Sequence, residues 1–313
     1  MQEKIPVAVV GATGIAGQQF LVALDQHPWF RVTRLAASER SAGKKYLEAI
    51  SDASSGAIRW YCEEPVPDLV QTLVVEDAAE CDFSDVGMVF TALESEAARV
   101  LEPRYAATRP VISTASAFRY EPDVPLLIPG VNLEHAPLIR IQQQRRGWKG
   151  FITPIPNCTT TGLAITLAPL QAHFGIDCVL MTSLQAISGA GRSPGVLALD
   201  ILDNVIPYIP KEEGKVETET QKILGKLVDH TIQPASFRVS ATCMRVNVKD
   251  GHTEAVFVSL QTEGELAEVK RAMEAWGSEF TSLGLPSAPP ALIVVSEDPY
   301  HPQPRFDRDL YGG

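Results

Sequence analysis

Val9-Val10-Gly11-Ala12-Thr13-Gly14-Ile15-Ala16-Gly17 is the stretch that decides the fold. The apolar run Ile5–Val10 stops at its first glycine and predicts a buried parallel strand. Beyond the loop, Phe20, Leu21 and Leu24 recur at helical spacing within Gln18–Asp25. Gly11 permits the tight turn, Gly14 lets backbone approach a pyrophosphate, and Gly17 allows close packing of helix on strand. The unpaired N–H groups at the helix start favour phosphate. An ordinary Gly-rich β–α turn carries the same glycines. Strand, spacing and helix together predict dinucleotide binding, with Gly11, Thr13, Gly14 and Gly17 at the cofactor.

The next strand, Val32–Ala37, leads into Ser38-Glu39-Arg40-Ser41-Ala42-Gly43-Lys44. Glu39 suits the ribose hydroxyls of NAD. Ser38, Arg40, Ser41 and Lys44 form a donor cluster around it that suits a 2′-phosphate, and the balance favours NADP over both NAD and a merely solvated loop. Further strands are expected at Val86–Thr91 and Pro110–Ser113, with a helix from Glu94 to Leu101 between them. Such alternation is the signature of a parallel α/β sheet.

The character changes near residue 150. Phe151–Ile155 and the turn Pro154-Ile155-Pro156 precede a helix starting at Cys158. Val179–Ala186, Val239–Val248 and Thr253–Leu260 then alternate like antiparallel strands with one solvated face, and Leu266–Ser278 is an amphipathic helix. The expected architecture is α/β: a Rossmann-like dinucleotide-binding domain over 1–150, and an α+β catalytic and dimerisation domain over 151–313 with a largely antiparallel sheet.

With 313 residues, 45% of them apolar, each half can bury a core. A net charge of −11 argues against nucleic acid as partner but leaves room for a small anion held by two or three local cations. The five cysteines include no C-x-x-C pair, so neither zinc nor a redox dithiol is indicated, and a reducing, cytoplasmic setting is the simplest reading. No secretory signal or bilayer-spanning run is read in the chain.

Cys158 is set apart by its place in Asn157-Cys158-Thr159-Thr160-Thr161-Gly162, between a proline turn and an apolar helix. A helix start stabilises a thiolate, and its N–H groups can receive an oxyanion on a carbon bonded to sulfur. A lone cysteine is otherwise a small buried hydrophobe, the role assigned to Cys62, Cys81, Cys178 and Cys243. His252, in the turn Asp250–Glu254, can act as acid or base near neutral pH, and the fork of Arg245 suits a carboxylate. A turn histidine bonded to backbone and a solvated arginine are the plainer readings. Glu219 and Lys222 share a helix face, which composition alone reads as an exposed ion pair.

Gly11–Gly17, Arg40–Lys44, Asn157–Gly162, Leu184–Gly191, Leu199–Val205, Glu217–Gly225, Ser240–Arg245, Asp250–Glu254 and Pro302–Arg305 occur in this order along nearly the whole chain. In these stretches the sequence resembles the aspartate-semialdehyde dehydrogenase family, most closely its fungal and archaeal branch. The resemblance implies reversible, NADPH-dependent conversion of aspartyl phosphate to aspartate semialdehyde through a cysteine thioester, in lysine, threonine and methionine biosynthesis. It casts Cys158 as nucleophile and His252 as general acid/base. Arg245 would hold the substrate α-carboxylate, Glu219 the amino group, and Gln185 would orient the substrate. Lys222 and Arg119 would bind phosphate, and Arg40 and Ser41 the 2′-phosphate of NADP. It also implies a homodimer or homotetramer.

There are departures. Ser113–Arg119 keeps the arginine but lacks the usual asparagine, Thr159 replaces a common serine, and Gly189–Gly195 is one residue longer than usual. The family continues past the position of Gly313 with a strand and a long helix. A catalytically impaired NADP-binding or interaction protein is therefore a second reading. A related acyl reductase, acting on N-acetylglutamyl phosphate or malonyl-CoA, is a third, and a sugar-phosphate aldehyde dehydrogenase is disfavoured by the Ser240–Arg245 and Glu217–Lys222 motifs.

Overall fold

A computed structural model describes residues 3–190 and 198–312. The chain forms two compact units. The first runs to Pro125 and resumes over Pro137–Ile155; the second holds Leu126–Ala136 and the chain from Pro156 onward. The polypeptide thus passes from one unit to the other three times, where the sequence reading draws one boundary.

In the first unit, β1 (Ile5–Val10), β2 (Phe30–Ala37), β3 (Val75–Asp77), β4 (Met88–Thr91), β5 (Pro110–Ser113) and β6 (Phe151–Pro154) form one sheet in the order β3-β2-β1-β4-β5-β6. Every pairing is parallel. Successive residues of β1 serve opposite faces. Val7 and Val9 pack with Leu35, Val75 and, from α1 (Ile15–Leu24), Leu21 and Leu24. Ala8 and Val10 pack with Val89, Val111, Ile152 and, from α2 (Ser95–Ala106), Ala98 and Tyr105. Both faces are covered, which is why the strands read as apolar runs. Helix α2 continues to Ala106 rather than stopping near Leu101, because Tyr105 and Ala106 are core residues and burial overrides the weak local signal around Pro103. A third helix, α3 (Leu138–Arg146), precedes β6 and ends on Gly147 in the left-handed conformation.

The second unit is built on α4 (Cys158–His173), β7 (Ile176–Gln185), β8 (Val205–Ile206), α5 (Glu212–Ile223), a small hairpin of β9 (Lys226–Val228) and β10 (Thr231–Gln233), β11 (Arg238–Val246), β12 (Thr253–Leu260) and α6 (Leu266–Ala275). Its main sheet has the order β12-β7-β11-β8. The β12–β7 pair is antiparallel, as expected, and so is the pair that β11 makes with the short β8, but β11 runs parallel to β7. Alternation of side chains is the same in either sense, so the sequence pattern does not distinguish them. The long connection carrying α5 supplies the crossover that a parallel neighbour requires.

One face of this sheet is the core. Val179, Met181, Ala241 and Cys243 meet Leu163 and Leu167 of α4 and Val216 of α5. The other face exposes Leu180 (55%), Leu184 (39%) and Phe257 (72%), with Leu180 and Phe257 side by side in register. Among the described residues no helix is long and apolar enough to cross a membrane.

Candidate active site

Helix α4 begins where the sequence places it. Asn157 is its N-cap, with the side-chain oxygen accepting the Thr160 N–H at 3.1 Å. The rest of Asn157 is held from α5. Its backbone N–H donates to Glu219 Oε2 at 2.7 Å, and its side-chain amide donates to Glu212 Oε1 at 2.6 Å. Glu212 and Glu219 stand two turns apart on one face of α5. The residue before the cysteine is therefore fixed at both its backbone and its side chain, and Cys158 takes the first helical position with its surface open.

Burial pushes the Cys158 thiol above its ordinary value, and the nearby Glu212 carboxylate adds to this. The N–H groups of Thr159 and Cys158 act in the direction expected of a helix start but do not prevail. Burial also pushes the Glu212 carboxyl up, but Asn157 and Lys215, whose Nζ lies 3.1 Å away, more than offset this and leave it below the ordinary range.

The turn between β11 and β12 contains Gly251 at φ +91°, a conformation that L side chains rarely adopt, and presents His252 just before β12. His252 Nε2 lies 3.2 Å from Cys158 Sγ, and His252 Nδ1 accepts the Ala186 N–H at 3.1 Å. Burial, then the charge of Arg245, lower the imidazole pKa against an opposing pull from Glu212.

Arg245 is buried and lies in register with Gln185 on the parallel strand β7, so the two side chains leave the same end of the sheet together. Arg245 Nη1 donates to Ala186 O at 2.7 Å, and Gln185 Nε2 donates to Ser183 Oγ at 3.1 Å. The turn Ile187–Ala190 is tied back by Ile187 N–H to Val248 O at 2.8 Å and Ser188 N–H to Lys249 O at 3.0 Å. Gly189 lies against the pair: a methyl group there would stand 3.1 Å from His252 Cε1 and 3.2 Å from Arg245 Nη1.

Cys158, Gln185, Arg245 and His252 therefore come together, and Glu219 joins them through Asn157. Glu219 is fully buried, not the solvated ion-pair member that composition favours. Lys222 lies further along α5, half-buried. Arg119 belongs to the first unit, buried, with Nη2 donating to Thr114 O at 3.1 Å. Of the loop Gly189–Gly195, residues 191–195 lie outside the described residues.

Sequence reasoning assigned no role to Asn157, Glu212, Ala186 or Gly189. Asparagine ahead of an apolar helix is a capping signal, and Glu212 and Glu219 seven residues apart are a one-face signal. A backbone N–H such as that of Ala186 leaves no trace in sequence.

In the first unit the loop after β1 has the form that a dinucleotide requires. Gly11 sits at φ +79°, and a methyl group on it would fall 2.2 Å from Ala92 O. One on Gly17 would fall 2.1 Å from Gly11 O. Gly14 caps α1 without a side-chain acceptor, so the helix start is open to an anion. Tyr46 Oη donates to Ala12 O at 2.8 Å, and Gln18 Nε2 to Thr13 O at 3.3 Å, which steadies the loop. After β2, Ser38 opens a short turn over Glu39–Ser41, with Arg40 exposed and its carbonyl bonded by Lys44 Nζ at 2.9 Å.

Residues 6–138 match the family model for the semialdehyde dehydrogenase NAD binding domain, and residues 167–311 match that for the semialdehyde dehydrogenase dimerisation domain. The chain belongs to the semialdehyde dehydrogenase family. Within it, the chain is 47% identical over 309 residues to an aspartate-semialdehyde dehydrogenase of Methanothermobacter thermautotrophicus, covering 99% of this chain and 86% of that one. It is 42% identical over 322 residues to the enzyme of that name from Cryptococcus neoformans, at the same coverages. Among solved semialdehyde dehydrogenases, the aspartate semialdehyde dehydrogenase of Candida albicans, determined with NADP, superposes with a TM-score of 0.85 at 38% identity, covering 98% of this chain and 86% of that one.

Proposed function

We propose that this semialdehyde dehydrogenase is an aspartate-semialdehyde dehydrogenase, interconverting L-4-aspartyl phosphate and L-aspartate 4-semialdehyde with NADP, and that it serves amino-acid biosynthesis in the cytoplasm. The observation that carries the reading is a thiol at a helix start, 3.2 Å from an imidazole, beside a buried arginine in register with a glutamine. The names and high coverage of the archaeal and fungal relatives support the substrate. NADP, when bound, accepts or returns the hydride. Gly11, Thr13, Gly14 and Gly17 would hold its pyrophosphate, and Ser38, Arg40 and Ser41 its 2′-phosphate.

In the oxidising direction Cys158 sulfur attacks the aldehyde carbon. Arg245 holds the α-carboxylate by its fork, Glu219 takes the amino group, and Gln185 orients the chain between them. The helix-start N–H groups and His252 stabilise the oxygen as it gains charge. Loss of hydride leaves a thioester on Cys158. Inorganic phosphate, for which Lys222 supplies a cation, displaces the sulfur and releases aspartyl phosphate. Biosynthetic flux runs in reverse.

The open face with Leu180, Leu184 and Phe257 is where a second copy of the chain would pack, in line with the dimerisation-domain match.

The test is NADPH formation by purified protein supplied with aspartate semialdehyde, NADP and phosphate. Turnover should need all three and fall by about 10⁴-fold or more in Cys158→Ala. Turnover with coenzyme A in place of phosphate, or with N-acetylglutamate semialdehyde in place of aspartate semialdehyde, would overturn the reading.

A further inference from the structure

We propose that Glu102 is a neutral carboxylic acid that braces the ends of β4 and β5 against each other, and so acts as a positioning residue for the nicotinamide half of NADP. The proposal goes beyond the residues that hold the pyrophosphate and the 2′-phosphate. It rests on NADP lying along the carboxyl ends of this sheet, where the strand order reverses between β1 and β4.

Glu102 lies on α2 and is fully buried. Its Oε1 accepts the hydroxyl of Thr91 at 2.6 Å and that of Ser113 at 2.6 Å. Thr91 is the last residue of β4 and Ser113 the last of β5, and the two lie in register. Ser113 Oγ also accepts the Ala115 N–H at 3.0 Å, which ties the carboxyl to the loop after β5. Thr91 leads into Ala92, whose N–H donates to Val10 O at 2.8 Å and whose carbonyl is the atom that a methyl group on Gly11 would strike. One carboxyl oxygen thus joins the strand ends from which the loops at Ala92 and at Thr114 leave. The 2′-phosphate residues follow β2, so the other half of the dinucleotide belongs to the β4 and β5 side.

The surroundings of the carboxyl suit the acid and not its anion. No charged side chain acts on it: burial pushes it above the ordinary carboxylate range, and only the two hydroxyls pull it back. Oε2 is buried with no hydrogen-bond partner among the described residues. An anion there would share its charge with an oxygen that receives nothing. The neutral acid needs one acceptor, Oε1, and carries its proton on Oε2. The brace therefore works by shape and acceptance, which glutamine can reproduce. Leucine fills similar space but leaves both hydroxyls without their acceptor.

Protonation and positioning are tested separately. In the infrared difference between wild type and Glu102→Gln at pH 7, the wild type should show the carbonyl stretch of a neutral carboxylic acid. A carboxylate band in its place overturns the proposal. In NADPH titration, Glu102→Leu should bind about tenfold more weakly than wild type, with the alkylation rate of Cys158 unchanged, and Glu102→Gln should recover the loss. Leucine binding as well as wild type, or glutamine binding as poorly as leucine, overturns the brace. Where Glu102→Leu does not fold, Ser113→Ala removes one of the two donors and should weaken NADPH about threefold; unchanged affinity is then the contrary result. A wild-type chain that binds no NADPH overturns the positioning role together with the cofactor reading. Normal NADPH binding without turnover of aspartate semialdehyde removes the proposed reaction alone, and the titrations still decide the brace.

Discussion

Each of the two units contains a helix that begins just after a strand in the chain, and the two starts are finished differently. At α1 the cap is Gly14, which offers no side-chain acceptor. At α4 the cap is Asn157, whose side chain bonds the Thr160 N–H and whose amides are held by Glu212 and Glu219. The first leaves its N–H groups open to an outside anion. The second bonds one of them, that of Thr160, to its own cap, leaves those of Cys158 and Thr159 at the sulfur, and uses the fixed geometry to present one thiol. The same local physics, unpaired donors at a helix N-terminus, thus gives a phosphate cradle in one unit and a nucleophile mount in the other.

Gly11→Ala should break the first start most severely. The residue would be strained at φ +79° and driven into Ala92 O, at about 2 kcal/mol or more of stability. NADP affinity should fall by more than about tenfold in titration, while alkylation of Cys158 keeps its wild-type rate. Loss of both together would mean that the two starts are not independent.

At the second start, Asn157→Ala removes the cap and the partner of Glu212. It should lower stability by about 1–2 kcal/mol in denaturant titration and slow turnover, with NADP affinity unchanged. An unchanged midpoint would show that the cap contributes nothing.

The pH dependence of the thiol sharpens the comparison further. Because Cys158 lies above its ordinary value, the thiolate is scarce at neutral pH, and alkylation should rise by about tenfold per pH unit from 7 past 9. Glu212→Gln removes one upward push and should speed alkylation at pH 7.5 by about threefold. A plateau below pH 8 in the wild type would show that the helix start prevails over burial.

The smallest effect on the chemistry concerns Glu254, on β12 two residues beyond His252. Its carboxyl faces Gly162 of α4, makes no hydrogen bond or ion pair among the described residues, and is pushed by burial up to about 8. A carboxyl raised in the fold contributes stability that is fully present below its unfolded value of 4.5 and is lost as pH rises through about 8. Glu254→Gln should therefore raise Tm by about 5 °C or more at pH 9 and leave it unchanged at pH 4.

The contrast also explains what sequence could disclose. The glycine loop was legible because its determinants lie within nine consecutive residues, each required by backbone geometry. Cys158 stood out through its place at a helix start, but by composition alone it competed with a buried packing role. His252 and Arg245 needed a family resemblance to be linked to it, since β7 and β11 are neighbours only through a long crossover whose parallel sense side-chain alternation does not encode. The supports of the site were least legible. Glu219 reads as a surface ion pair until α5 is seen against Asn157, and the donor that orients His252 belongs to the backbone of an alanine.

The central claim is that Cys158 carries the substrate as a thioester, and trapping that species tests it most directly. Enzyme mixed with aspartate semialdehyde and NADP, without phosphate, should form about one NADPH per active site and stop, with an aspartyl adduct on the Cys158 peptide by mass spectrometry that disappears when phosphate is added. No burst, or an adduct on another cysteine with Cys158 unmodified, would contradict the account.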